Sequence, residues 1–441
     1  MRLAASLFLV TALTAPTVAL ASIASLRDDL AAMDVILSWS EERQEGESTA
    51  LTGAILKGNR LHVTADHLLY DERTGTVTLT DARFIDRRGE TGAEASAGEL
   101  IAQDVRSFHL LNQTDICDPR EALDLSPATT ELRGFTVVPD PRSTRHMVAE
   151  RFSMDRLMVR SRVADDGSCI TFDEAAMEGV TSMSPGGDTA TIESISLRGD
   201  FDGTSAAAFD LELLNLEGFD PSGRQIATLG RVSISSNMTG DLPESFPTDP
   251  NKIFDLLLRT SGDLDLEIRD LYFEAPDELG GQELQGYVVA RFHHAEDVID
   301  TELDIDIQGL ARLQLDLGLK VLPQGEGGGL SAMMGDEPGL AAAERLAITR
   351  LRFSAADQGA VDIAEQTAGM GRDEIMATLR RQLTVAPQSL LEPIMSFAEG
   401  VLDGGAGFRA EPAEPVALTQ IMMTGIMQPN LLGALLAISP E

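Results

Sequence analysis

The stretch from Ile299 to Leu322 reads IDTELDIDIQGLARLQLDLGLKVL. Ile299, Leu303, Ile305, Ile307, Ala311, Leu313, Leu315, Leu317, Leu319 and Val321 share odd parity. The even positions from Asp300 to Lys320 are polar or glycine, Leu310 excepted. A period of two marks a strand with one apolar face, because successive side chains leave the pleat on opposite sides. One strand of this length would reach roughly 75 Å at about 3.3 Å per residue, beyond ordinary strands. Two strands hinged at Gln308-Gly309-Leu310 are therefore expected. A two-residue turn would set an even residue against an odd one, so the unbroken parity predicts a three-residue loop or a bulge at Gly309.

The same chemistry recurs upstream. Ile170 to Val180 (ITFDEAAMEGV) aligns with Phe209 to Phe219 (FDLELLNLEGF), and Ala190 to Leu197 (ATIESISL) with Ala227 to Ile234 (ATLGRVSI). In both copies the apolar parity slips mid-strand, at Phe172 to Ala175 and at Leu213 to Leu214, as a bulge would produce. A weaker third copy begins at Leu264 (LDLEIRDL) and leads to Tyr287 to Phe292. Repeated hairpins that each expose an apolar face must stack on their neighbours. The fold expected is mainly β with a C-terminal α-rich cap: an elongated antiparallel sheet of repeated hairpins, curled or sandwich-like. Its divisions are a signal peptide at 1–21, an N-terminal β region at 22–140, the repeated hairpins at 141–335 and a helical cap at 336–441.

Arg2, the apolar run Leu3 to Leu13 and Ala19-Leu20-Ala21 have the layout of a cleaved secretory signal. Thr11, Thr14, Pro16 and Thr17 interrupt a run already short of the roughly 20 apolar residues of a membrane span, and no later segment is apolar enough for one. A periplasmic or secreted location is expected. Against 34 basic residues stand 71 acidic ones, a net charge of -37 that repels nucleic acid and anionic headgroups. Export also places Cys117 and Cys169, the chain's two cysteines, in an oxidising compartment, so one disulfide is expected. Their acidic surroundings disfavour a reactive thiolate.

Along the chain, Ser25 to Met33 reads as a short amphipathic helix with Ser25 as N-cap, followed by Val35 to Trp39 and a polar loop over Glu41 to Ser48. A hairpin follows, Leu61 to Leu79 around a turn at Asp71 to Gly75. Pro243 to Pro250 reads as a linker, Asn251 to Arg259 as a short helix, and Pro323 to Gly339 as a glycine-rich loop. Beyond it, helices are expected at Leu340 to Leu346, Val361 to Ala368, Asp373 to Leu383, Ser389 to Leu402, Val416 to Ile426 and Asn430 to Leu436, with a strand at Ile348 to Phe353.

The segment Val63 to Val77 (VTADHLLYDERTGTV) resembles the repeats of periplasmic organic-solvent-tolerance, lipopolysaccharide-transport β-proteins. The resemblance extends over some 40 residues to Asp104 and implies a curled sheet whose apolar face holds acyl chains. The long strand-rich region with short C-terminal helices is also similar to AsmA-type envelope proteins. Neither resemblance supplies a catalytic residue.

No nucleophile elbow, zinc-protease helix, P-loop or dinucleotide fingerprint occurs, so no catalytic residue, metal site or cofactor is expected. His293 and His294 fall on opposite faces of a strand, one expected at the surface and the other with its hydrogen bonds satisfied. Asp300, Glu302, Asp304 and Asp306 share a face, read as solvated rather than as a calcium loop. The residues expected to face a ligand are Leu303, Ile305, Ile307, Leu313, Leu315, Leu317 and Leu319. Two functions remain open: a β-groove that binds or shuttles lipid or another apolar ligand, and a non-enzymatic scaffold with a self-filled core whose edge strand meets an envelope protein partner.

Overall fold

The computed structural model describes residues 23–59, 61–86, 93–103, 115–117, 125–139, 151–164, 169–201, 208–240, 258, 260–274, 281, 283–323, 344–383 and 388–440. The expected signal peptide, the Pro243 to Pro250 linker, the Asn251 to Arg259 helix apart from Leu258, and the loop after Pro323 lie outside the described residues. The chain divides into two compact units, Met1–Ile226 and Ala227–Glu441, a division within the expected repeat region.

In the first unit, α1 (Ile23–Ala32) precedes β1 (Ile36–Ser38), β2 (Glu41–Glu45), β3 (Ser48–Lys57), β4 (Leu61–Asp71), β5 (Thr76–Asp86) and β6 (Ala93–Ala102). Then come β7 (Asp115–Ile116), β8 (Leu125–Pro139), β9 (Arg151–Ala164), β10 (Cys169–Met183), β11 (Thr189–Phe201) and β12 (Phe209–Phe219). From β3 to β12 each long strand pairs antiparallel with the next long one, and β1 and β2 lie end to end along β3. Short β7 runs parallel to the start of β10, where Cys117 and Cys169 form the expected disulfide with Cα atoms 4.7 Å apart.

A single line of residues crosses this sheet. Between the paired positions Thr52↔His67 and Ala54↔Ala65, Gly53 faces Asp66; the same gap sets Asp81 against Gly98, Gly134 against Asp155, and Glu193 against Asn215. Every second strand there holds a left-handed residue, at Gly53 (φ 62°), Asp81 (φ 54°), Gly134 (φ 58°), Gly179 (φ 61°) and Asn215 (φ 48°). Glycine, aspartate and asparagine are the residues that tolerate this region. Two consecutive side chains then point outward, and the inward parity switches. On β3 the buried residues are Leu51 and then Ala54; on β4, Ala65 and then Leu68; on β5, Leu79 and then Ala82; on β8, Leu132 and then Phe135. A one-residue slip would normally turn the rest of a strand inside out. Repeating it at the same level on neighbouring strands keeps the apolar side inward on both sides of the seam.

The inward residues form one cluster. Leu51, Leu56, Val77, Leu79 and Ala82 are 0% exposed, and α1 adds Leu26 and Leu30, also at 0%. From β3 to β9 the inward face is thus filled by the unit's own side chains, whereas Ile192, Ile195, Leu197, Leu211, Leu213 and Leu216 on β11 and β12 are only half-buried.

The boundary falls just inside β13 (Gln225–Ser236), and the second unit continues with β14 (Thr239–Gly240), β15 (Thr260–Glu274), β16 (Glu283–Ala295), β17 (Val298–Gln308), β18 (Ala311–Val321) and β19 (Leu346–Asp357). Helices α2 (Ala360–Ala368), α3 (Arg372–Gln382) and α4 (Gln388–Leu402) follow, then β20 (Ala406–Ala410), β21 (Val416–Ala417), α5 (Leu418–Met427), a 3₁₀ turn at Pro429–Leu431, α6 (Leu432–Leu435) and β22 (Ile438–Pro440). The antiparallel order is β13-β15-β16-β17-β18-β19-β20-β22, with β14 beside β15 and β21 beside β19. The β17–β18 hairpin has the expected three-residue loop: Ile307 pairs with Ala311, Gly309 takes φ 81°, and the Leu310 N–H donates to the Ile307 carbonyl at 3.0 Å. Phe397 of α4 packs with Phe353 and Phe408, centroids 5.7 and 5.9 Å away, which seats the helix on the apolar side of β19 and β20.

Several expectations need correction. Ser25 lies inside α1 rather than capping it. Glu41 to Glu45 is a strand rather than a polar loop; all five residues are exposed, so no apolar alternation announced it, and charge suits it to a sheet margin. Leu346 opens β19 rather than closing a helix, and β19 is a full member of the sheet. Of the two bulges expected in the repeats, the first appears as a register shift between Phe172 and Glu174. The second is absent as a shift: β11 and β12 stay in register through Asn215, whose left-handed backbone absorbs the parity change.

A β-carbon on Gly179 would stand 2.2 Å from Asp155 Oδ2 at φ +61°, whereas one on Gly75, at φ +69°, meets nothing within 4 Å. Gly179→Ala should therefore lower stability by about 1–3 kcal/mol, and Gly75→Ala by only about 1 kcal/mol. Urea midpoints of the two variants measure the difference. Replacing both cysteines by serine opens a loop of sequence separation 52 and should remove about 4 kcal/mol on the chain-entropy model, read in the same titration.

Candidate functional site

The second unit presents two faces built from the same strands. On the apolar face, Leu303 pairs with Leu315 and Ile305 with Leu313, while Ile307 stands opposite Ala311. Val288 and Ala290 extend the block on β16, and Leu351 and Phe353 on β19, where Leu317 pairs with Leu351. Alternation thus brings six of the seven expected ligand-facing residues into one patch, each only half-buried. Leu319 departs from them. It is 8% exposed and belongs to a small core with Ile299, Leu346 and Ile348, against which Leu418 and Ile421 of α5 pack. Equally apolar rows are sealed on β3 to β9 of the first unit and incompletely covered here, as they are on β11 and β12.

The opposite face is polar and concave. Its central line crosses five strands through Val289, Asp304, Gln314, Ser354 and Gly407. A charged line runs beside it through Arg291, Glu302, Asp316, Arg352 and Arg409. Apart from Arg409, the residues of both rows line a concavity of about 680 Å³, to which Arg312 and Gly405 to Gly407 also contribute. A hydrogen-bond chain holds the floor. Tyr287 Oη donates to Asp304 Oδ2 at 3.1 Å, Gln314 Nε2 donates to Asp304 Oδ1 at 3.4 Å, and Ser354 Oγ donates to Gln314 Oε1 at 3.3 Å. Arg291 meets Glu302 at 3.1 Å, Arg312 meets Asp306 at 3.6 Å, and Arg350 bridges Asp316 at 2.8 Å and Asp300 at 3.1 Å. Each carboxylate of the acidic row therefore has a protein partner, and among the described residues no cluster suited to a metal ion occurs.

Partial burial raises the Tyr287 phenol above its ordinary value, and its hydrogen bond to Asp304 and that carboxylate's charge push it the same way. Its hydrogen bond to Asp316 raises Arg350. At the other end of the sheet His293 is exposed and contacts Asp263, whose carboxyl is lowered by hydrogen bonds from His293 and Asn237. His294 is 5% exposed, and neither ring nitrogen has a hydrogen-bond partner, against the expectation of a satisfied histidine. Its neighbour Phe292 meets it edge-on at 6.5 Å.

No protein-family model matches the sequence, and no curated protein matches it. Among the described residues no helix is long and apolar enough to cross a membrane. The polar concavity escaped the sequence reading because its residues come from β16 to β20 and only cross-strand register unites them. The even-position carboxylates were visible, but as a solvated row.

Tyr287 should ionise above the ordinary phenol value of 10. Asp304→Asn removes the negative charge that opposes phenolate formation, so the midpoint should fall in that variant. Ultraviolet titration against a Tyr287→Phe control reads the shift.

Proposed function

We propose that this is an exported, non-enzymatic envelope protein whose second unit offers an apolar sheet face to lipid or another apolar ligand. The observation that carries this reading is the half-burial of Leu303, Ile305, Leu313, Leu315 and Leu317, beside rows of the same character on β3 to β9 of the first unit that are enclosed. Apolar area left open on a folded domain is a binding surface in waiting, since covering it returns about 25 cal/mol per Å². The disulfide fits export to an oxidising compartment such as the periplasm. The resemblance of Val63 to Val77 to lipopolysaccharide-transport repeats supports the same ligand class, although that segment lies in the sealed part of the first unit.

The second reading, a scaffold that docks an envelope partner, is favoured for β3 to β9 of the first unit by their filled core.

Native mass spectrometry of protein purified from the periplasm tests the proposal. Wild type should retain lipid, and a double Ile305→Asp, Leu315→Asp variant should lose it while each change costs only about 1 kcal/mol of stability. Leu100→Asp, at a position 1% exposed, should cost upwards of about 4 kcal/mol. Wild type free of lipid would sink the ligand reading and leave the scaffold.

A further inference from the structure

We propose that the polar concavity of the second unit is a binding site for a short neutral oligosaccharide. Its charged and polar side chains belong to the face opposite the apolar rows, with Leu303, Leu315 and Phe353 also in the lining, and it does not rest on the lipid reading. Its volume of about 680 Å³ falls within the roughly 300–1,000 Å³ of ordinary ligand sites.

Charge decides the ligand's class first. The lining holds three guanidinium groups, Arg291, Arg312 and Arg352, and three carboxylates, Glu302, Asp304 and Asp316, so it is neutral overall in a chain of net charge -37. These groups are also satisfied within the protein: Arg352 by Glu411 at 2.7 Å, Arg291 by Glu302, Arg312 by Asp306, and Asp316 by Arg350. Neither an anion nor a cation finds an uncompensated partner.

Hydrogen-bonding capacity decides it further. Because Ser354 donates to the Gln314 carbonyl and Gln314 donates to Asp304, the Gln314 amide has a fixed orientation. One Gln314 N–H, the acceptor lone pairs of Ser354 and the remaining lone pairs of Asp304 stay available. Donors and acceptors therefore alternate across strands spaced about 4.8 Å apart. Hydroxyl groups, which both donate and accept, match such a line. Val289, Ala356 and the side-chain-free Gly405 and Gly407 supply apolar ground for the C–H face of a sugar ring. A peptide main chain fits poorly, because it needs a free strand edge and β16 to β19 are paired on both sides.

Isothermal titration of the whole exported protein with maltotriose, cellotriose and chitotriose tests this, with inorganic phosphate and succinate as charged probes. At least one trisaccharide should bind saturably. Gln314→Ala and Ser354→Ala should each weaken it tenfold or more with unchanged thermal midpoint and far-ultraviolet dichroism. The single Ile305→Asp substitution, at a position outside the concavity's lining, should leave binding as in wild type, which separates this site from the apolar face. Failure of all three trisaccharides, preference for phosphate or succinate, or binding indifferent to Gln314→Ala in a folded variant would overturn the proposal.

Discussion

The left-handed seam is the constraint on which the first unit depends. A long strand with strict alternation is straight, and one with a lone parity slip exposes half its apolar residues. Here the slip recurs at one level from β3 to β12, so Gly53, Asp81, Gly134, Gly179 and Asn215 share a line with Asp66, Gly98, Asp155 and Glu193. Each strand stays in step with its neighbours because each makes the same departure. Gly179 shows how tight the arrangement is, since Asp155 occupies the space a β-carbon would need. Non-glycine residues in this conformation cost about 1–2 kcal/mol each, a cost offset by the core that the shared bend keeps inward.

The second unit carries less of this device. Gly230 still faces Asp270 between β13 and β15, with the Asp270 side chain filling the place of a β-carbon. Between β15 and β16 the register then shifts after Ile268, and the hairpin of β17 and β18 alternates without interruption. Its two faces are accordingly uniform along their length, one aliphatic and one charged. Helix α4 covers the apolar side at β19 and β20 through Phe397, while Leu303, Ile305, Leu313 and Leu315 keep part of their surface open. On the polar side, ion pairs between neighbouring strands hold long side chains in ordered rows and leave a trench. These exposed pairs contribute little stability individually; their effect is to fix geometry.

Much of this fold was legible from local pattern. Alternation from Ile299 to Val321, together with parity across Gly309, specified both strands and the loop length, because side-chain period and turn geometry are properties of adjacent residues. The duplicated segments at Ile170 and Phe209 were readable for the same reason. Glu41 to Glu45 was not, since a fully exposed strand leaves no apolar trace. The slips at Phe172 to Ala175 and Leu213 to Leu214 were visible, yet only the first is a change of register. The local string cannot say whether a neighbouring strand slips in step.

By itself, the sequence determined that the chain is β-rich, built of repeated hairpins, closed by short helices and tied by one disulfide, because periodicity and cysteine count carry that information. Tertiary structure alone decided which apolar rows are sealed and which stay open, and it gathered Asp304, Gln314 and Ser354 into one trench. The reason is range. Alternation states that a strand has two faces, but what each face meets depends on register with strands tens of residues away and on the seam that turns them together.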